Sequence, residues 1–214
     1  MTQFTLYGEP GWGSAIIEAQ LVWYGLPYEY RVIGDVLSDA AKREAFARIN
    51  PLAQTPALVL ENGALMTESA AITLWLAERQ HSDALVPAPN APERAAFLRW
   101  LVFIVANIYP TFTYGDVPAR FVSVEAAQQP FLDALNDYAK RMYAVMEEAA
   151  SGDGTFLPGR FSALDLYLGV LTQWRPRRDW FSAHTPKLWA AARTAHRVEK
   201  LREVWSRNYP KLEF

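Results

Sequence analysis

The sequence predicts a small α/β domain followed by an all-helical domain, and three observations support this division. Within residues 1–81, short β-type runs alternate with helical patterns of apolar residues. Residues 82–92 then hold three prolines, which favours an extended linker, and we assign residues 82–91 to it. Beyond the linker only helical periodicity recurs, so residues 92–214 are predicted to form the second domain.

The first half of the α/β domain is predicted to be strand, helix, strand. Residues 4–7 and 28–33 are short β-type runs, and residues 14–24 between them carry apolar side chains at helical spacing. The Gly-Leu-Pro sequence at 25–27 ends this helix. Because a helix joins the two strands, we expect them to be parallel with a right-handed crossover.

The second half is predicted to be helix, strand, strand, helix. A polar helix over residues 38–49 precedes two short apolar runs at 56–60 and 64–66. The Glu-Asn-Gly sequence at 61–63 between the runs favours a hairpin, since glycine tolerates positive φ. These two strands are therefore expected to be antiparallel, and a helix over residues 67–80 follows them.

The second domain is predicted to contain five helices, over residues 93–109, 124–150, 162–174, 186–195 and 197–206. Pro110 is expected to bend the chain at the end of the first of them. Residues 163–171 are nearly all apolar, which indicates a helix buried in this domain. Ser162 and Asp165 fit a capping box at its start, a structural role.

Composition excludes several classes of function. The 214 residues contain 21 Lys and Arg against 23 Asp and Glu, so nucleic acid is not expected as the main partner. Cysteine is absent, which excludes a disulfide scaffold, a cysteine zinc site and a thiol nucleophile of the protein's own. The three histidines lack metal-ligand spacing. No apolar run reaches about 18 residues, which predicts no transmembrane helix, and the start lacks a signal peptide. A cytoplasmic protein without a membrane partner is therefore expected.

Charge is unevenly distributed along the chain. Residues 175–214 hold ten Lys and Arg against four Asp and Glu, whereas residues 1–81 hold five against nine. The basic stretch is either a solvated surface whose counter-charges come from the first domain or a patch for an anionic partner.

Three short segments of the first domain are expected to meet at the carboxyl edge of the parallel strands, where open α/β folds bind ligands. The loop at residues 8–13 enters a helix at Ser14, and the free N–H groups of a helix start favour an anion. Ser14 either caps this helix or donates its hydroxyl to the anion.

The other two segments have both a ligand-binding and a purely local interpretation. A cis bond before Pro56 would turn the backbone of Thr55 toward an extended peptide ligand, while a trans bond would make residues 54–56 a plain loop. Glu68 and Ser69 can hold the ammonium and carboxylate of an α-amino acid. Alternatively, they are a helix cap with an acidic first turn.

Taken together, these segments resemble the cytosolic glutathione S-transferases. The matching stretches are Leu-Tyr-Gly at 6–8 through Ser14, Gly-Leu-Pro-Tyr at 25–28, Asn-Pro-Leu-Ala-Gln-Thr-Pro-Ala-Leu at 50–58, Glu-Ser-Ala-Ala-Ile at 68–72 and Leu-Pro-Gly-Arg-Phe-Ser-Ala-Leu-Asp at 157–165. They occur in the same order over nearly all 214 residues. No single stretch is decisive, but five in register are specific.

The resemblance implies a thioredoxin-like N-terminal domain, an all-helical C-terminal domain and glutathione as co-substrate, without a metal. It implies that Pro56 follows a cis bond and that the Thr55 backbone pairs with the cysteinyl part of glutathione. Glu68 and Ser69 would hold the γ-glutamyl group, and Gln54 would lie beside the glycyl end.

In this family the catalytic Tyr, Ser or Cys lies near the end of the first strand or the start of the first helix. Alignment with bacterial cysteine-type members places Gly13 at the cysteine position. We therefore predict Ser14, the next residue, as the catalytic residue, ahead of Tyr7 at the end of the first strand. A site made only of backbone N–H groups around Gly13 is the third alternative.

The implied activity is glutathione transfer to a hydrophobic electrophile, as in detoxification, by a homodimer. Trp12, Tyr109, Phe112 and Tyr114 are candidates for the wall of the electrophile pocket, although aromatic residues at helical spacing are more often core. The alternatives are a glutathione-dependent peroxidase, reductase or isomerase, and a non-catalytic module for protein–protein contacts.

Overall fold

The computed structural model describes residues 3–212 and places a four-stranded sheet in the first part of the chain. Its strands are β1 (Phe4–Gly8), β2 (Tyr28–Val32), β3 (Ala57–Val59) and β4 (Leu65–Met66), in the spatial order β2-β1-β3-β4. β1 and β2 are parallel, and β3 is antiparallel to both β1 and β4. Both predicted pairings are confirmed, and the contact between β1 and β3 joins them into one sheet.

Three helices accompany the sheet: α1 (Ser14–Trp23), α2 (Ala40–Ala47) and α3 (Ser69–Arg79). α1 ends where predicted, because Gly25 adopts a φ of +66° and the N–H of Leu26 bonds to the carbonyl of Leu21 at 2.9 Å. Asp39 caps the start of α2, since its carboxylate accepts the N–H groups of Ala41 and Lys42. The order βαβ and then αββα is the thioredoxin-like arrangement that the resemblance implies.

The second part of the chain is helical, as predicted. Its helices are α4 (Arg94–Phe103), α5 (Tyr109–Gly115), α6 (Glu125–Ala149), α7 (Ala163–Leu171), α8 (Arg178–His184), α9 (Pro186–His196) and α10 (Arg202–Asn208). α8 was not predicted, since seven residues with charged ends show little apolar periodicity. α7 is buried along its whole length, and the capping box of Ser162 and Asp165 is present.

The expected bend at Pro110 takes a specific form. A π-helical turn, Ile104–Ile108, connects α4 to α5, and Pro110 is the second residue of α5. Because proline has no N–H and crowds the preceding turn, a widened turn lets the helical path continue.

The helical run Arg94–Gly115 is long and apolar enough to cross a membrane by length and composition, with 39% of its apolar window buried inside the structure. The sequence analysis predicts no transmembrane helix, because it finds no apolar run of about 18 residues; polar residues such as Arg99 and Asn107 lie within this run. The run packs against α6 and α7, and a buried core helix meets the same criterion. It is therefore weak support for a membrane span.

Packing divides the chain differently from the predicted boundaries. One compact unit comprises the described residues of Met1–Val86 and of Arg193–Phe214, and the other is Pro87–Ala192. The predicted linker has no helix or strand, but Leu85 and Val86 are buried core residues of the first unit, contrary to expectation. Boundaries at 81 and 92 remain a prediction about separable domains.

The basic C-terminal stretch supplies contacts to α1 within the first unit. The guanidinium of Arg207 pairs with the carboxylate of Glu18, which is fully buried. The ammonium of Lys200 lies 3.7 Å from the ring centre of Trp23 and donates to the carbonyl of Trp23 at 3.1 Å. At Arg207 the first domain does supply the counter-charge.

Candidate functional site

Three loops of the first unit emerge at the same edge of the sheet. β1 ends at Gly8, and its preceding residue Tyr7 pairs with Ala57 at the start of β3. Met66 at the end of β4 pairs with Leu58, the next residue of β3. The loop at 9–13, the segment at 54–56 and the entry to α3 at 67–69 are therefore neighbours, as the sequence analysis expected.

The loop at 9–13 delivers the backbone to the start of α1. The carbonyl of Glu9 accepts the N–H of Trp12 at 3.0 Å, and the Glu9 carboxylate accepts the N–H of Gly34 at 2.8 Å. In α1 the N–H of Ala15 bonds to the carbonyl of Trp12. Within residues 3–212, the N–H groups of Gly13 and Ser14 bond to no protein acceptor, and both residues are buried.

Ser14 faces inward rather than toward this edge. Gly13 occupies the N-cap position and Ser14 is the first helical residue, so the capping interpretation of Ser14 is wrong. Its side chain is fully buried, with the Oγ 3.3 Å from the carbonyl of Glu9 and 3.2 Å from the hydroxyl of Tyr30. Burial raises the pKa of Tyr30 to about 12, so that hydroxyl remains protonated at neutral pH.

Gly8 explains why Ser14 can turn inward. A Cβ atom at Gly8 would lie 2.2 Å from the Oγ of Ser14 and 2.7 Å from the hydroxyl of Tyr30. The absence of a side chain at the end of β1 therefore makes the space in which the two hydroxyls meet.

Tyr7 is engaged on the other side of β1. Its hydroxyl accepts a hydrogen bond from Arg31 of β2 at 3.1 Å, and Arg31 also pairs with Glu29. Its ring, like Trp12, packs against a small apolar cluster that includes Phe46. In this arrangement the hydroxyl of Tyr7 is an acceptor toward β2, and as an acceptor it keeps its own proton for donation.

The segment at 54–56 is held by Asn50. The Asn50 side chain donates to the carbonyl of Gln54 at 2.7 Å and accepts the N–H of Leu52 at 3.2 Å, and Ala53 adopts a φ of +50°. The Gln54 side chain is exposed and Thr55 is half-buried. The peptide bond between Thr55 and Pro56 is cis, as predicted.

Glu68 and Ser69 lie at the start of α3. Ser69 is the first helical residue and is 4% exposed, and its carbonyl accepts the hydroxyl of Thr73 at 2.8 Å. Glu68 is exposed and occupies the N-cap position of α3, but its side chain makes no capping hydrogen bond. Its φ of +64° with ψ of 100° is a backbone conformation that costs a non-glycine residue about 1–3 kcal/mol. Strain of this kind concentrates at ligand sites.

The four candidate aromatic residues fall in three places. Trp12 is half-buried on the apolar cluster of the first unit. In the second unit, Tyr109 and Phe112 both contact Trp174, with ring centres 5.9 Å and 4.9 Å apart. Tyr114 is 40% exposed and meets Phe121 edge-on. The structure thus joins Tyr109 and Phe112 in one cluster and leaves Tyr114 outside it.

Metal ligation has no basis in the part of the chain that the structure describes. Between residues 3 and 212, no group of three or more His, Cys, Asp or Glu side chains is arranged to hold an ion.

Sequence reasoning missed the residues that position the loops. Tyr30 contacts Ser14, and Asn208 accepts the N–H of Gly11 at 3.0 Å. The separation of 197 residues between Gly11 and Asn208 gives no local signal. Asn50 was noted only as part of a matching stretch, although Asn before a turn commonly bonds the backbone two residues on.

Comparison with known proteins finds relatives along nearly the whole chain. A family model described as the glutathione S-transferase N-terminal domain matches residues 17–79. The uncharacterized GST-like protein YncG of Escherichia coli (strain K12) is 35% identical over 203 residues, which are 95% of this chain and 97% of that protein.

Solved structures share the fold. A glutathione transferase homologue from Sulfitobacter, crystallised with bound glutathione, has a TM-score of 0.81 at 20% identity and covers 95% of this chain and 97% of its own. A sphingomonad glutathione S-transferase complexed with glutathione has a TM-score of 0.72 at 25% identity, covering 94% and 96%. Both of these proteins contain glutathione.

Proposed function

Since the chain belongs to the glutathione S-transferase family, we propose that it binds glutathione along the sheet edge and transfers its thiolate to a hydrophobic electrophile. The observation that carries the proposal is the meeting of the α1 start, the segment at 54–56 and the strained Glu68 at one edge. The glutathione found in the sphingomonad relative supports the same ligand here.

The γ-glutamyl end of glutathione is assigned to the start of α3. The exposed carboxylate of Glu68 suits the ammonium group, and Ser69 with the helix start suits the carboxylate. The Thr55 backbone would pair with the cysteinyl part, and the exposed Gln54 side chain would meet the glycyl end.

For the thiolate we propose the backbone alternative, in which the N–H groups of Gly13 and Ser14 and the dipole of α1 hold the anion. The support is that these donors have no acceptor within residues 3–212, whereas the hydroxyl of Ser14 is buried beside the carbonyl of Glu9 and the hydroxyl of Tyr30. The hydroxyl of Tyr7 accepts from Arg31 and keeps its own proton. Each pKa unit by which the thiol is lowered requires about 1.4 kcal/mol of preference for the thiolate. Ser14 and Tyr7 remain catalytic candidates, to be distinguished by substitution.

The electrophile is expected to contact aromatic side chains. We keep Trp12 of the first unit and Tyr109, Phe112 and Tyr114 of the second as candidates, each to be tested by its own substitution. Of these, Tyr109 and Phe112 are to be substituted first, since both are half-buried and lie against Trp174.

Calorimetric titration of the whole protein with glutathione tests the proposal, with Glu68→Ala as the site variant and Glu78→Ala as its control. Glu78 is exposed near the other end of α3. We expect the wild type to bind glutathione with a Kd in the micromolar to millimolar range. Glu68→Ala should weaken this binding, and Glu78→Ala should leave it unchanged. No binding by the wild type would contradict the proposal.

Turnover is measured next with a panel of electrophiles and peroxides. Conjugation of an aryl halide or an enone is the expected outcome. Reduction of peroxides without conjugation would favour the peroxidase alternative. Binding of glutathione without any turnover would favour the non-catalytic module.

We also propose a cytoplasmic homodimer. The family resemblance implies a two-fold dimer. Arg207 pairs with Glu18 of its own chain, but the other basic residues of 175–214 and the acidic balance of residues 1–81 suit an interface between unlike surfaces. Light scattering at micromolar concentration should give twice the chain mass of 24.2 kDa. A species of 24.2 kDa alone would contradict the dimer.

A further inference from the structure

The C-terminal helix reaches the loop that precedes the start of α1. The N–H of Gly11 donates to the Oδ1 of Asn208 at 3.0 Å, and the hydroxyl of Tyr209 donates to the carbonyl of Gly11 at 3.3 Å. Gly11 has a φ of +84°, and a Cβ atom there would lie 3.3 Å from the carbonyl of Asn208. Both backbone polar groups of Gly11 are thus bound by residues almost 200 positions away.

Asn208 is itself fixed in one orientation. Its Nδ2 donates to the Oε2 of Glu18 and to the carbonyl of Val204, both at 2.8 Å, and the residue is 5% exposed. Two acceptors on one side and an N–H donor on the other are compatible with only one placement of the amide. The Oδ1 of Asn208 is therefore directed at Gly11.

The side chain of Asn208 is held in place by the buried carboxylate of Glu18 on α1. Its other oxygen accepts the hydroxyl of Tyr28 at 2.9 Å and pairs with the guanidinium of Arg207. Burial raises the pKa of Tyr28 to about 12, so its hydroxyl remains a donor at neutral pH. A charged group held by several donors in a buried place resists displacement, because moving it would leave the charge unpaired.

We propose that Asn208 is a positioning residue for the thiol site. By holding Gly11, it fixes the position of the loop at 9–13 relative to α10, and therefore the direction in which the N–H groups of Gly13 and Ser14 point. This inference rests on the proposed function. Gly11 lies two residues before Gly13, so a loop released from Asn208 would present these donors in a spread of directions. Interactions with a developing or bound anion weaken when the donors are not preorganised.

Asn208→Ala is the test, and Val204→Ala is its matched control. Val204 is buried one turn earlier on α10, so its truncation lowers the melting temperature without removing a bond to the loop. The decisive readout is the pH at which bound glutathione gains its thiolate absorbance, together with the pH profile of kcat/KM. A merely structural role of Asn208 would move neither.

In Asn208→Ala we expect the pKa of the bound thiol to rise by about 0.5–1 unit and kcat/KM at neutral pH to fall about 3- to 10-fold, with the rates converging at high pH. In Val204→Ala we expect an unchanged thiol pKa. Tyr209→Phe, which removes only the hydroxyl, should shift the thiol pKa in the same direction by less. It keeps the test decisive if Asn208→Ala does not fold.

An unchanged thiol pKa in both Asn208→Ala and Tyr209→Phe, with glutathione bound, would overturn this inference and leave the proposed function intact. An equal shift in Val204→Ala would also overturn it. A wild type that does not bind glutathione would overturn both.

Discussion

The carboxylate of Asp165 accepts the backbone N–H of Ser162 at 2.7 Å, and the hydroxyl of Ser162 accepts the N–H of Leu164. The two side chains thereby supply acceptors for backbone N–H groups at the start of α7. The same carboxylate accepts the N–H of Phe156 at 2.7 Å. Asp165 is fully buried and therefore ties the preceding loop to the central helix of the second unit.

Asp165→Ala is predicted to lower the free energy of unfolding by about 3 kcal/mol, because it leaves two buried N–H groups without an acceptor. Urea denaturation measures the change. Asp137→Ala is the control, since Asp137 is an exposed residue of α6 that pairs with Lys140 on the helix surface. It should cost less than about 0.5 kcal/mol. Similar losses in the two variants would contradict the role of the box.

Asp153 makes the free energy of unfolding depend on pH. Hydrogen bonds from Ser151, Thr155 and the N–H of Gly159 hold the pKa of Asp153 well below its usual value of 3.8. Because the folded pKa lies below the unfolded one, the ionised carboxylate stabilises the fold above the unfolded pKa. That stabilisation is lost as the pH falls toward the folded pKa.

Asp153→Asn is therefore predicted to be less stable than the wild type at pH 7, and the difference should shrink below a pH of about 4. Chemical denaturation at a series of pH values measures it. A difference that stays constant from pH 7 to pH 3 would show that the carboxylate acts through shape rather than charge.

Substitution of Glu68 is predicted to change stability and glutathione binding in opposite directions. Glu68→Gly is predicted to raise the free energy of unfolding by about 1 kcal/mol, because release of the strain exceeds the added freedom of the unfolded chain. The same change should weaken glutathione binding by about 1–3 kcal/mol through loss of the carboxylate. Thermal melts and calorimetry measure the two effects.

Ala64→Gly is the control for that pair of effects. Ala64 is exposed in the nearby hairpin and is not among the residues with positive φ, so glycine there should only lower stability. Ser69→Ala should weaken glutathione binding by a similar amount with little change in stability. If Glu68→Gly and Ser69→Ala both bind as the wild type does, the γ-glutamyl group lies elsewhere.

Substitution at Ser14 separates the ways of holding the thiolate. If backbone N–H groups hold it, Ser14→Ala should leave the pKa of bound glutathione nearly unchanged, since the buried hydroxyl faces Glu9 and Tyr30. A rise of about 1 unit, with about a tenfold loss of rate at neutral pH, would instead show that the hydroxyl donates to the anion. Loss of activity in Tyr7→Phe alone would favour the tyrosine mechanism.

Signals close together in the sequence determined much of the fold. The capping box spans three residues, the Gly-Leu-Pro stop follows its helix directly, and the hairpin turn lies between the two strands it joins. Such features depend on local hydrogen bonding and on the backbone freedom of glycine, so they are readable without knowing the partners. The edge that gathers the candidate site followed from these elements and the parallel crossover.

Tertiary structure alone decided the direction of the Ser14 hydroxyl, which depends on the missing Cβ of Gly8 and on Tyr30 from another strand. It also decided that residues 193–212 belong with the first unit, through contacts such as Asn208 to Gly11 and Glu18. Neither local propensity nor periodicity carries information about a hydrogen bond across about 190 residues. A polar side chain at a helix start can form its hydrogen bonds in several orientations, and the residues packed around it determine which one is adopted.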